Sequence, residues 1–248
     1  MMSHGKLYMV ATPIGNLEDI TFRAVETLKR ADVVACEDTR VTRILLDKYG
    51  ITPQKIISHH QHNEINSIPG ILKLLQEGHM VALVSDAGTP VISDPGNGLV
   101  REAVKAGIPV IPIPGASAVT TLLSVCHFPV DVYTFEGFLP HKKGRQTRLK
   151  QMAERAHVTV LFESTHRILK LLEELQVYCG ERDLLIGREL TKIHETLFRG
   201  TVSEAQSWFQ DHPVKGEFVL IVAPPVKKSK PPKEIMTSCH KMSIIQKN

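Results

Sequence analysis

Short apolar runs alternate with longer amphipathic stretches from the start of the chain, and the alternation predicts strands and helices in turn. Residues 6–11 read as a buried strand, and residues 21–30 as a helix with Thr21 as N-cap. Strands follow at 32–36, 55–58, 80–85 and 110–113, with helices between them at 41–49, 68–76 and 99–106, the last stopped by Gly107. After Pro112 and Pro114 the pattern restarts. Strands at 132–136, 158–162, 184–188 and 217–223 are separated by helices at 146–155, 168–178 and 204–209. Strands alternating with helices imply an α/β fold, with a mainly parallel sheet in the first part and a mixed one in the second. The expected organisation is an N-terminal α/β domain over 1–115, a C-terminal α/β domain over 116–223, and a basic, disordered tail over 224–248.

Composition narrows the class. Hydrophobic residues make up 42% and charged residues 23%, a globular balance with no apolar run long enough for a membrane span. No signal-peptide pattern precedes the first strand. Cys36, Cys126, Cys179 and Cys239 form no CxxC pair, which suits reduced thiols in the cytoplasm better than disulfides or a zinc site. The net charge of +4 does not mark the body as basic. Lys227, Lys228, Lys230, Lys233, Lys241 and Lys247 stand against Glu234 alone in the tail, which therefore carries +5 and leaves −1 for residues 1–223. An argument for RNA must rest on local patches.

Three segments at predicted strand ends are candidates for chemistry, because ligands of open α/β sheets bind at the carboxyl edge of the strands. Thr12-Pro13-Ile14-Gly15-Asn16 follows the first strand; with a single glycine it is no dinucleotide fingerprint, and by itself it also suits an ordinary turn. Ser85-Asp86-Ala87-Gly88-Thr89-Pro90 continues through Ile92 and Asp94 to Gly96, longer than a connection needs. Gly88 permits close backbone approach, and Asp86 or Asp94 suits a cationic or hydroxyl-bearing group, although either also serves to cap a turn. Pro114-Gly115-Ala116-Ser117-Ala118 opens a helix with small side chains against which a flat ring can lie, or simply caps it through Ser117.

These segments, in this order, resemble the tetrapyrrole methylases, in particular the branch that acts on ribosomal RNA. Ala35-Cys36-Glu37-Asp38-Thr39-Arg40, Gly137-Phe138-Leu139-Pro140, Phe162-Glu163-Ser164-Thr165-His166-Arg167 and Gly187-Arg188-Glu189-Leu190-Thr191-Lys192 add to the likeness, which runs from about Leu7 to Ala223. Relatives carry a further helical segment beyond that point, where this sequence turns to Lys227-Lys228-Ser229-Lys230. The resemblance implies the two-domain class III methyltransferase fold, S-adenosyl-L-methionine as cofactor, a cytoplasmic homodimer, and 2'-O-methylation of a cytidine in 16S ribosomal RNA of the small subunit. It places Pro13, Ile14 and Gly15 near the cofactor, Ala87, Gly88, Thr89 and Ile92 around its methionine part, and Ser117, Ala118, Phe162 and Leu190 around its adenosine, with Asp86 as a further candidate for cofactor binding.

Methyl transfer to a ribose hydroxyl depends on aligning the oxygen opposite the leaving sulfur, with a general base as a possible aid. Glu163 and Lys192 are the candidates for that base; both suit an interdomain salt bridge equally well. No metal is expected, and His59-His60-Gln61-His62 reads as a polar loop rather than a metal site. For RNA, residues 137–153 hold Lys142, Lys143, Arg145, Arg148 and Lys150 with no acid, where a solvated helix normally mixes signs. Arg40 and Arg43 form a second expected set. Two other readings remain at this stage: a methylase of a small tetrapyrrole-like acceptor, and a non-catalytic RNA-binding assembly protein.

Overall fold

The computed structural model describes residues 5–225. The lysine-rich tail expected to be disordered lies, from residue 226 on, outside the described residues. The first half holds β1 (Leu7–Val10), α1 (Phe22–Arg30), β2 (Val33–Cys36), α2 (Thr39–Lys48), β3 (Lys55–Ser58), α3 (Glu64–Gln76), β4 (Val81–Val84), α4 (Asn97–Lys105) and β5 (Val110–Ile113). Its five strands form a sheet in the order β3-β2-β4-β1-β5, and every pairing is parallel. The strands are apolar at consecutive positions because both faces are covered. Val34 and Cys36 pack with Leu28 of α1 and Leu45 of α2, whereas Val33 and Ala35 pack with Ile71 of α3 and Leu99 of α4.

The second half holds α5 (Ala118–Ser124), β6 (Tyr133–Phe138), α6 (Arg145–Glu154), β7 (Val158–Ser164), α7 (Ile168–Cys179), β8 (Asp183–Arg188), β9 (Thr196–Thr201), α8 (Val202–Asp211) and β10 (Glu217–Val222). Its sheet runs β6-β7-β10-β8-β9; β6 and β7 are parallel and the other pairs antiparallel, so the sheet is mixed. One face carries Leu161, Ile186, Phe218 and Leu220 against α6, α7 and α8. The other carries Val160, Leu185 and Ile221 against Leu122 of α5, and Ile14 from the first half packs into the same cluster. The two halves thus share apolar contacts where the loops after β1 and β8 meet.

The predicted elements recur with shifts of a few residues, and two depart further. The third helix begins at Glu64, four residues before its predicted start, and runs through Pro69. Strand β9 was not anticipated at all. No helix among the described residues is long and apolar enough to cross a membrane.

Candidate active site

The loops after β1, β4 and β5 leave the same edge of the parallel sheet and are tied to one another. Thr12 and Gly88 exchange backbone hydrogen bonds of 2.9 and 3.0 Å, Thr12 Oγ1 donates to Ser85 O at 3.0 Å, and Ser85 Oγ donates to Gly88 O at 3.0 Å. Thr89 Oγ1 donates to Ala116 O at 3.3 Å, which joins the loop after β4 to the one after β5. Gly88 has φ +85°, a left-handed conformation that other residues adopt only with strain, and a Cβ there would stand 3.3 Å from Ile14 Cγ2. The turn is therefore built around the missing side chain.

These loops and the facing edge of the second sheet enclose a cavity of about 480 Å³. From the first half come Ile14, Asp86, Ala87, Gly88, Thr89 and Ile92; Ser117 and Ala118 follow at the start of α5. The second half contributes Phe162, Glu163, Leu190 and Lys192, together with His166 and Phe138, which stand in the quoted motifs but carry no expected role at the site. Phe138 could have been suspected as an aromatic at a strand end, but nothing in the sequence shows that it packs edge-on against Phe162, with ring centroids 5.6 Å apart. Pro13 and Gly15 stand outside the cavity: Pro13 is buried beside Thr12 and Leu45, and Gly15 lies in a neighbouring cleft with Glu189 and Thr191. A Cβ at Gly15 would sit 2.5 Å from Lys192 Cγ and 2.9 Å from Leu190 O, so this glycine serves the close contact between the halves. Asn16 N–H, donating to Thr191 Oγ1 at 3.0 Å, fixes that contact.

The two sequence candidates for a base are both tied up in ion pairs within the second half. Glu163 is buried; its Oε1 accepts from Arg167 Nε at 2.7 Å and from the Ser164 N–H at 2.8 Å, and its Oε2 lies 3.8 Å from the Arg145 guanidinium. Lys192 Nζ donates to Glu217 at 2.9 Å and Glu189 at 3.0 Å. Partial burial works against its charge, but those two hydrogen bonds outweigh the penalty and raise its pKa. A lysine held charged donates protons and does not remove them, so the expectation of Lys192 as base is corrected to that of a fixed cation.

On the opposite wall the charge is acidic. Asp94, which lines the cavity, is pushed up to about 6 by desolvation and by the nearby Glu37 carboxylate, with the neighbouring Ser85 hydroxyl opposing the shift. Asp86 is raised by burial, although its Oδ1 accepts the Asp38 N–H at 3.0 Å, and Glu37 is raised by burial and by Asp86. This wall suits a ligand that brings positive charge.

The expected RNA-facing residues separate into two groups. Lys142 and Lys143, just before α6, are exposed, as are Arg43 and Lys150. Arg148 is exposed but donates to Glu136 at 2.7 Å, and Arg40 bends back on Asp38 at 2.6 Å, whose carboxyl it holds near 2. Arg145 is a correction. It is 4% exposed, it pairs with Glu174 of α7 at 2.6 Å, and it donates to Pro140 O at 3.3 Å. It closes the second core rather than facing a phosphate. His59, from the histidine-rich stretch, is fully buried, with Nδ1 2.8 Å from Ser67 Oγ and its pKa lowered by burial.

Comparison with known proteins agrees with this architecture. The family model for tetrapyrrole (corrin/porphyrin) methylases matches residues 6–206. "Ribosomal RNA small subunit methyltransferase I" of Thermotoga maritima is 47% identical over 219 residues, 88% of this chain and 98% of the relative. The protein of the same name from Halalkalibacterium halodurans is 48% identical over 219 residues, 88% of this chain and 75% of the relative. Among solved structures, uroporphyrin III C-methyltransferase from Thermus thermophilus superposes with a TM-score of 0.63 at 17% identity, covering 88% of this chain and 97% of that one, a likeness of fold. With the family model matching most of the chain and close relatives covered over most of their length, the chain belongs to the tetrapyrrole methylase family, in its branch of ribosomal RNA small subunit methyltransferase I.

Proposed function

We propose that this chain transfers the methyl group of S-adenosyl-L-methionine to the ribose 2'-oxygen of a cytidine in 16S ribosomal RNA. The observation that carries the reading is identity of 47–48%, over 88% of the chain, to relatives named for small-subunit ribosomal RNA. The cavity fits the cofactor. Its volume of about 480 Å³ falls within the ~300–1,000 Å³ of ordinary cofactor sites. Ile14, Ala118, Phe162 and Leu190 offer an apolar bed for a purine, and the carboxylate of Asp86 suits the cationic methionine end. Gly88 supplies the close approach of backbone, and Ala87, Thr89, Ile92 and Ser117 complete the lining. When bound, the cofactor supplies an electrophilic methyl carbon on a positively charged sulfur.

The chain's own residues then position and exclude. The Thr12–Gly88 bridge and the Thr89–Ala116 hydrogen bond fix one wall before any ligand arrives, which spares the cost of ordering it on binding. Phe135 and Phe138 pack edge-on against Phe162 and give that wall an apolar surface, where exclusion of water strengthens every charge interaction. Glu163, held by Arg167 and Arg145, fixes the end of β7, and Lys192, held by Glu189 and Glu217, fixes the loop after β8 against Gly15.

We assign RNA contact to Lys142, Lys143, Arg148 and Lys150 around α6, with Arg40 and Arg43 of α2 as a second set, since exposed positive side chains suit phosphate. Residues 1–115 and 116–223 act as two units around the cavity, and the family resemblance supports a homodimer working in the cytoplasm. Sedimentation of the purified protein tests the dimer. For the reaction, the protein is incubated with labelled cofactor and either unmodified small subunits or a tetrapyrrole acceptor. Label in the RNA alone supports the proposal; label in the tetrapyrrole alone overturns it. Failure to bind cofactor in a titration would favour a non-catalytic RNA-binding role.

A further inference from the structure

The cavity presents four carboxylates, and three are already engaged. Glu163 accepts from Arg167 and Ser164, Glu217 accepts from Lys192, and Asp86 accepts the Asp38 N–H. Asp94 has no ion-pair partner among the described residues, and its polar neighbour is the neutral Ser85 hydroxyl. It follows a stretch of forced backbone, with Val91 at φ +77° and Ser93 at φ +69° flanking Ile92. The other non-glycine residues of positive φ among those described are Glu189 and Thr191, in the loop across the cavity. The stretch is pinned on both sides. Thr89 Oγ1 bonds Ala116 O at 3.3 Å before it, and after it the Glu64 carboxylate accepts the Gly96 and Gly98 N–H groups at 3.2 and 3.0 Å. Backbone strain persists only where surroundings over-determine it, and it clusters at sites of function. Here the pinned loop delivers a carboxylate without a counter-charge to the cavity wall.

We propose that Asp94 accepts the proton of the acceptor hydroxyl during methyl transfer, a role that rests on the methyltransferase reading above. The acceptor oxygen forms a bond to the methyl carbon, the bond from that carbon to sulfur breaks with its electron pair left on sulfur, and the hydroxyl proton passes to the Asp94 carboxylate. A sulfonium and a carboxylate become a thioether and a neutral carboxylic acid, so charge and atoms balance. The proton leaves to water once products depart.

The groups facing Asp94 explain its suitability. Glu37 after β2 and Asp86 after β4 are acidic neighbours, with His60 beside Glu37; across the cavity stand Glu163, Glu217, Lys192 and His166. Burial and the two acids raise the Asp94 pKa to about 6, so it is ionised at neutral pH and yet basic enough to take a proton. His166 is the competing base, but it is exposed and no hydrogen bond among the described residues orients its ring.

The test uses the full chain and unmodified small subunits. Asp94→Asn is expected to lower the single-turnover rate by roughly 100-fold or more, with cofactor and subunit affinities unchanged. Asp94→Glu is expected to recover part of the rate. In the unaltered protein the rate should fall on acidification through about 6, and a carboxyl-carbon NMR titration should show Asp94 itself titrating there. His166→Asn should leave that acid limb in place. The proposal is overturned if Asp94→Asn keeps the rate, if its rate loss is matched by lost cofactor affinity, or if the acid limb disappears with His166. Transfer by the unaltered protein to no position of the small subunit overturns the methyltransferase reading itself, and this proposal with it.

Discussion

At the scale of single residues, the cavity carries the signature of a site kept for function at the expense of stability. Asp94 has a folded-state pKa of about 6, above its ordinary 3.8, so the native state binds the proton more tightly than the unfolded chain. Stability therefore falls as pH rises between these two values. Asp94→Asn removes that loss and should raise stability at neutral pH by about 1 kcal/mol, a figure discounted for the group's partial exposure. The gain should vanish as the pH is lowered below the ordinary carboxylate range, which melting curves across pH will show. Arg145 behaves in the opposite way. Arg145→Ala leaves Glu174 without its buried cation, removes one of the two guanidinium groups beside Glu163, and should cost about 3 kcal/mol in denaturant unfolding. Its sequence neighbourhood is free of acids, which is why it reads as a surface cation. The partners come from α7 and β7, and such pairing across the fold leaves no mark in the local sequence.

At the scale of elements, most of the fold is legible because both sheets are covered by helices, so strands show as apolar runs and helices as amphipathic ones. The strand ends that carry the cavity are marked by Gly and Pro in loops longer than a connection needs. The misses have local causes. Pro69-Gly70 reads as a boundary, yet α3 extends four residues earlier because Ser67 ties its first turn to His59, and Glu64 reaches across to α4. Strand β9 alternates poorly, with Arg199 and Gly200 interrupting its apolar run, and it pairs with β8 alone at the sheet edge. The resemblance puts Pro13 and Gly15 near the cofactor; the close contact of Gly15 with Lys192 and Leu190 is visible only in the structure, because it joins residues far apart in the chain. Glu64 gives the clearest element-scale prediction. Glu64→Ala removes the acceptor for the Gly96 and Gly98 amides, should cost about 1 kcal/mol as lost helix caps do, and should weaken cofactor affinity by freeing the strained loop. Faster hydrogen exchange at those two amides is the expected readout.

At the scale of the whole molecule, charge is divided between function and solubility. The formal charge of residues 1–223 is −1, so attraction to RNA has to come from placement. Reversing Lys142 and Lys143 together should weaken subunit binding and flatten its dependence on salt, by about one unit of slope per lost phosphate contact. Cofactor affinity and melting temperature should stay as they are, because both side chains are exposed and make no internal pairs among the described residues. Unchanged affinity and salt slope would mean that this face is merely solvated. The cavity, by contrast, draws on both halves of the chain, and its two walls differ in charge: carboxylates without ion pairs on the first half, ion pairs on the second. That division suits a cationic cofactor on one side and an RNA strand guided from the other. The most direct test of the account is a single-turnover reaction of the full chain with labelled S-adenosyl-L-methionine and unmodified small subunits, followed by mapping of the label. The account predicts one labelled ribose, 2'-O-methylated at a cytidine of 16S ribosomal RNA; label on a base, on another RNA, or nowhere in the subunit would contradict it.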